Sequence, residues 1–130
     1  MSENQEQDEY EFDIAAEEVA KERWLIVVLP QDNQLQIDID SDAAYEEFYR
    51  RFDSFDFHLT KYGHPTVTAK PSASGLPNQH ITLTFKGVVF SESERIALQA
   101  ALNDDSLRTF LNVKRMAHGV ENPTRLFEKP

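Results

Sequence analysis

The sequence predicts an α+β domain built on a mainly antiparallel sheet with helices on one face, behind an acidic N-terminal tail. Two periodicities predict the fold class. Leu35, Ile37 and Ile39, and again Ile81, Leu83 and Phe85, alternate with polar residues, the period of a strand. Tyr45, Phe48, Tyr49 and Phe52 recur at three- and four-residue spacing, the period of a helix. A third observation bounds the size. The chain's 130 residues, 40% of them hydrophobic, suffice for one packed core and are too few for two.

Residues 1–10 are polar and aperiodic and read as a disordered acidic tail. Phe12, Ala15, Ala16 and Val19 give residues 11–22 the spacing of a short amphipathic helix, and residues 23–130 form the single domain. Trp24–Leu29 is an unbroken apolar run, the pattern of a strand buried on both faces. Pro30-Gln31-Asp32-Asn33 is a turn that makes Leu35–Asp40 its hairpin partner. Ser41 is placed to cap a helix from Asp42 to about Phe52. Phe57–Lys70 holds one or two strands, the clearest at Thr66–Lys70, and Pro71–Asn78 is a loop by its Pro, Ser and Gly content. His80–Phe85 is a strand, and Ser91 with Glu94 forms a capping box for a helix reaching Leu102. Asp104 or Asp105 caps the next helix, in which Leu107, Phe110, Leu111 and Lys114 share one face. Asn122-Pro123 stops it, and Arg125–Glu128 is a last short strand.

The formal charge of −10 is lopsided. Residues 1–22 carry nine acids and one lysine, a net −8, which leaves −2 for residues 23–130. From His58 to Ser91 there is no Asp or Glu, but there are Lys61, Lys70 and Lys86 and three histidines, so an anionic ligand is least repelled there. The longest apolar run, Trp24–Leu29, is far short of the ~18 residues of a membrane span, so no membrane partner is expected. The absence of cysteine excludes disulfides and thiolate metal sites, and with the acidic N-terminus it points to the cytoplasm.

Three segments can carry chemistry. In Leu35–Asp40 the alternation turns Gln36, Asp38 and Asp40 to the face opposite the apolar residues. Asp38 and Asp40, their Cα atoms roughly 6.6–6.8 Å apart by strand geometry, repel each other until a divalent cation joins their carboxylates. An acidic solvent face of an edge strand is the competing reading. Lys70, Ser72, Ser74 and Gly75 lead into His80 and offer hydroxyls, an amine and an imidazole to phosphate oxygens, against the simpler reading of a surface hairpin loop. Glu128 is an acid on the last strand. Arg108 and Arg115, seven residues apart on one helix, can reach phosphates, although a solvated helix surface accounts for them as well.

Taken in order, these segments resemble the archaeo-eukaryotic primase and primase-polymerase superfamily. Asp38-Ile39-Asp40 resembles its Asp-hydrophobic-Asp motif. Ser72-Ala73-Ser74-Gly75 leading to His80 resembles its serine- and histidine-containing strand, with Asn78 where the motif has Ser. Phe127-Glu128 resembles its closing hydrophobic-acid pair, and the element order over about residues 34–128 fits the family's RRM-like half. The resemblance implies a minimal, metal-dependent nucleotidyltransferase-like domain acting in DNA replication or repair, with nucleoside triphosphate and nucleic acid as partners. It implies Asp38, Asp40 and His80 as the catalytic set, and Asp38, Asp40 and Glu128 as ligands of Mg²⁺ or Mn²⁺. Lys70, Ser72, Ser74, His80, Arg108 and Arg115 would then bind the nucleotide. The departure at Asn78 leaves open a domain that binds without catalysing, or one whose site a protein partner completes. The alternative from a different class is a non-enzymatic interaction module of RRM-like fold whose acidic tail docks on a protein.

The tail's composition carries a prediction. Removing residues 1–10 leaves thermal unfolding cooperative, as followed by circular dichroism, because the segment holds almost no apolar surface to bury. A molten or aggregated truncation would show that the tail belongs to the packed domain.

Overall fold

The computed structural model describes residues 25–55, 60–72 and 75–128. In chain order these form β1 (Ile26–Val28), β2 (Gln34–Ile39), α1 (Asp42–Ser54), a 3₁₀ turn (Thr60–Tyr62), β3 (Thr66–Pro71), β4 (Gln79–Thr84), α2 (Glu92–Ala101), α3 (Ser106–Ala117) and β5 (Leu126–Glu128). The tail and the helix expected at residues 11–22 lie outside the described residues.

The alternating strands make the core. β4 lies between β2 and β3, antiparallel to both, with Ile37 opposite Ile81 and Leu35 opposite Leu83. Their shared apolar face is sealed by Phe48 from α1, by Leu102 just past α2, and by Phe85 and Phe90 after β4. Local capping chemistry sets the helix starts. The Ser41 hydroxyl accepts from Ala44 N, Ser91 and Glu94 form the full capping box, and of the two aspartates before α3 it is Asp105 that accepts from Arg108 N. The helix α3 ends at His118, ahead of Asn122-Pro123, where Gly119 takes the left-handed φ of +72° that favours glycine.

The strand pairing differs from the expected hairpin. β1 pairs with β5, Val27 opposite Phe127, in a separate two-stranded sheet, and β2 pairs with β4 alone. Ile26 and Val27 are exposed rather than buried on both faces.

The reason lies at the other edge of β2, where α2 and α3 take the place of a neighbouring strand. Strand geometry points the N–H and C=O groups of Gln34, Gln36 and Asp38 away from β4. Arg95 Nε donates to Gln34 O at 3.0 Å, and Gln36 N donates to Gln99 Oε1 at 2.8 Å. Arg108 Nη1 donates to Gln36 O at 2.7 Å, and Asp38 N donates to Asp104 Oδ1 at 2.7 Å. The Asp105 amide donates to Asp38 O at 3.1 Å. Side chains and the Asp105 amide thus complete a ladder that a further strand would otherwise complete.

This arrangement turns α3 inside out. Its buried residues are Arg108, Asn112 and Arg115, whereas Leu107 and Phe110 are 63% and 57% exposed and Val113 and Met116 also face outward. The stripe that holds Leu107 and Phe110 is its outer face, because the neighbour that its inner face meets is a polar strand edge. Among the described residues no helix is long and apolar enough to cross a membrane.

Ile39 is fully buried at the end of β2. Ile39→Ala is expected to lower the unfolding free energy by about 2–5 kcal/mol in urea titration. A cost near zero would contradict the face assignment.

Candidate functional site

The polar face of the three-stranded sheet is built in rows by register. Asp38, His80 and Lys70 stand side by side across β2, β4 and β3; Gln36, Thr82 and Thr68 form the next row, and Gln34, Thr84 and Thr66 the third. Because each of these residues is two from the next along its strand, all nine side chains leave the sheet on the same side. Gln34 Nε2 donates to Thr84 Oγ1 at 3.2 Å within the third row.

β5 brings a fourth group to the first row. Glu128 Oε2 lies 2.8 Å from His80 Nδ1, and Glu128 Oε1 lies 3.8 Å from Lys70 Nζ. On its other side His80 turns Nε2 toward Asp38 Oδ1 at 3.6 Å. The imidazole, 6% exposed, is thus held between two carboxylates, and Lys70, its side chain 55% exposed, is the cation of the row that reaches solvent. Burial pushes the Asp38 carboxyl above its ordinary range, and the neighbouring His80 and Arg108 pull it back only in part. Asp40 is exposed, one residue beyond β2.

Of the residues singled out from sequence, Asp38, Lys70, His80 and Glu128 meet in this row. Ser72 stands at the end of the β3–β4 hairpin, and Ser74 lies outside the described residues. Among the described loop residues, Ser72 N donates to Asn78 O, Gly75 N to Ser72 O and Asn78 N to Gly75 O, so these three amides are engaged within the loop. Arg108 does not fit the nucleotide-binding role expected of it. Its guanidinium is buried against Asp104 at 2.9 Å and against the carbonyls of Gln36 and Arg125. Arg115 is buried too, with Nη1 3.4 Å from Asn112 Oδ1.

The sequence reading missed Arg95, Gln99 and Asp104, the groups that hold β2 in place. The available signal was their helical spacing: Arg95 and Gln99, then Arg108, Asn112 and Arg115, form polar stripes at i, i+4 and i+7.

Among the described residues no group of three or more His, Asp or Glu side chains is arranged to hold a metal ion. The face presents one desolvated carboxyl, at Asp38, and Asp40 stands exposed beyond the end of β2. So few carboxylates suit a hard cation that retains several of its waters, not an all-protein cage. Comparison with family models, with curated proteins and with solved structures finds no match to this chain.

The raised Asp38 carboxyl makes stability depend on pH in a definite direction. Its favourable contribution is complete below the unfolded value of 3.8 and is lost as pH rises through the higher folded value, so ionised Asp38 burdens the fold at neutral pH. Asp38→Asn should therefore raise the melting temperature at pH 7, on the order of a few degrees. The gain should shrink to almost nothing by about pH 3, where the wild-type group is largely protonated in both states. A lower melting temperature for the variant at pH 7 would mean that attraction to His80 outweighs the burial.

Proposed function

We propose that this domain binds a nucleoside triphosphate together with Mg²⁺ or Mn²⁺, as a minimal primase-polymerase-like domain acting on nucleic acid in replication or repair. The observation that carries the reading is convergence. Asp38, His80 and Glu128 come from three distant segments, each singled out by the same resemblance, and they meet beside Lys70 on one polar face. A threonine-lined stretch of the sheet extends from that row through Thr68 and Thr82.

Asp38 and Asp40 would hold the cation, and Lys70 would reach the phosphates. The bound cation would neutralise phosphate charge and favour ionisation of an attacking hydroxyl. The row itself explains why the two ligands go together. Two carboxylates face one lysine, so a triphosphate is repelled unless a divalent cation enters with it.

A second reading rests on a different observation. The outward apolar face of α3, with Leu107 and Phe110, favours an interaction module that works through a protein partner, either completing the site or replacing it.

Calorimetric titration separates the two. Wild type is expected to bind Mn²⁺, and to bind a nucleoside triphosphate in Mn²⁺ but not in excess chelator. Asp38→Asn and Asp40→Asn should each weaken Mn²⁺ binding about tenfold or more, equivalent to ~1.4 kcal/mol. Lys70→Met should weaken the nucleotide by a similar factor and leave Mn²⁺ alone. If wild type binds neither ligand at millimolar concentration, the nucleotide reading fails and the interaction module stands.

A further inference from the structure

Glu128 is expected from the resemblance to join Asp38 and Asp40 around a metal, but its carboxylate is directed elsewhere. One oxygen is 2.8 Å from His80 Nδ1, and the other is 3.8 Å from Lys70 Nζ. The imidazole stands between Glu128 and Asp38, so the two carboxylates sit on opposite sides of one ring. Glu128 is also shielded, with a side chain 13% exposed, against 32% for Asp38. A shielded carboxylate in short contact with an imidazole is placed to orient that ring.

We infer that Glu128 is a positioning residue, which fixes the orientation and tautomer of His80 and steadies Lys70 and is not a third metal ligand. The inference rests on the reading of this face as a ligand site, but its physical content does not require the ligand. A carboxylate only accepts hydrogen bonds, so the hydrogen of the 2.8 Å contact sits on Nδ1. In the neutral ring Nε2 then carries a lone pair and faces Asp38 Oδ1 at 3.6 Å. Two acceptors face each other without a bond between them, an arrangement that a cation or a donated hydrogen from a ligand would satisfy. Glu128 thereby determines which atom of His80 is offered to the site. A histidine held by a carboxylate on its far nitrogen is the general way in which an imidazole is kept in one tautomer for work at the other.

The experiment is long-range ¹H–¹⁵N correlation NMR on the labelled full-length protein, free of metal and nucleotide, at about pH 8, where histidine is ordinarily neutral. His80 is assigned by comparison with His80→Ala. Wild type is expected to show His80 almost wholly as the Nδ1–H tautomer. Glu128→Ala is expected to move most of the population to Nε2–H while the other histidines stay unchanged. A carboxylate that merely packed against the strand would leave the tautomer where it was. Wild type in the Nε2–H form overturns the inference by itself, as does a Glu128→Ala spectrum with the His80 tautomer unmoved. If Glu128→Ala does not fold, the isosteric Glu128→Gln serves, since its amide both donates and accepts and should give a mixture of tautomers. Retention of the pure Nδ1–H form in that variant would count equally against the inference. The readout needs neither Mn²⁺ nor nucleotide, so its failure is distinguishable from failure of the ligand reading.

Discussion

The free edge of β2 is the constraint from which the rest of this fold follows. A strand bonded on one side only leaves a line of unpaired amides and carbonyls, and each such group buried without a partner costs about 1–3 kcal/mol. Here Gln34 O, Gln36 N, Gln36 O, Asp38 N and Asp38 O would all be left open, a sum comparable with the ~5–15 kcal/mol net stability of a whole domain. Arg95, Gln99, Asp104, Asp105 and Arg108 close that edge, which fixes the distance and rotation of two helices against one strand. The polar interior of α3, the separation of β1 from β2 and the burial of Arg108 are consequences of that closure.

The same closure prepares the polar face. Asp38 is held at both its amide and its carbonyl, by Asp104 and by Asp105, so its backbone has little freedom where its carboxylate meets His80. Arg108 links the edge to the last strand as well, since its Nε donates to Arg125 O just before β5 carries Glu128 over the first row. Scaffold and site therefore share residues, and a change at Arg108 or Asp104 would reach the side chains of Asp38 and Glu128 through the backbone.

Much of this was legible along the chain. Alternation identified β2 and β4 and sorted their faces correctly, because a sheet with one buried side imposes that pattern residue by residue. Ser41 and Ser91 marked helix starts because a capping hydroxyl acts within three residues. Pairing was not legible. The turn at Pro30–Asn33 is compatible with a local hairpin, and only distant side chains such as Gln99 and Arg108 make the alternative better. The inversion of α3 was hidden for a related reason: the expectation that apolar residues face inward presumes an apolar neighbour. In the site, alternation placed Asp38 and His80 on the polar faces of their strands. Their direct opposition depends on the β2–β4 register, and the position of Glu128 depends on β5 crossing that face, which no local signal encodes.

The outward stripe of Leu107, Phe110, Val113 and Met116 has a colloidal consequence. Adhesive patches of this kind are tolerated while like-charged molecules keep one another apart, and a formal charge of −10 provides that repulsion at neutral pH. Concentrated salt screens the repulsion, and acidification to the isoelectric point of about 4.7 cancels the net charge, without altering the stripe. The solubility of this protein is therefore a balance between one helix face and the ionisation of residues far from it in the chain.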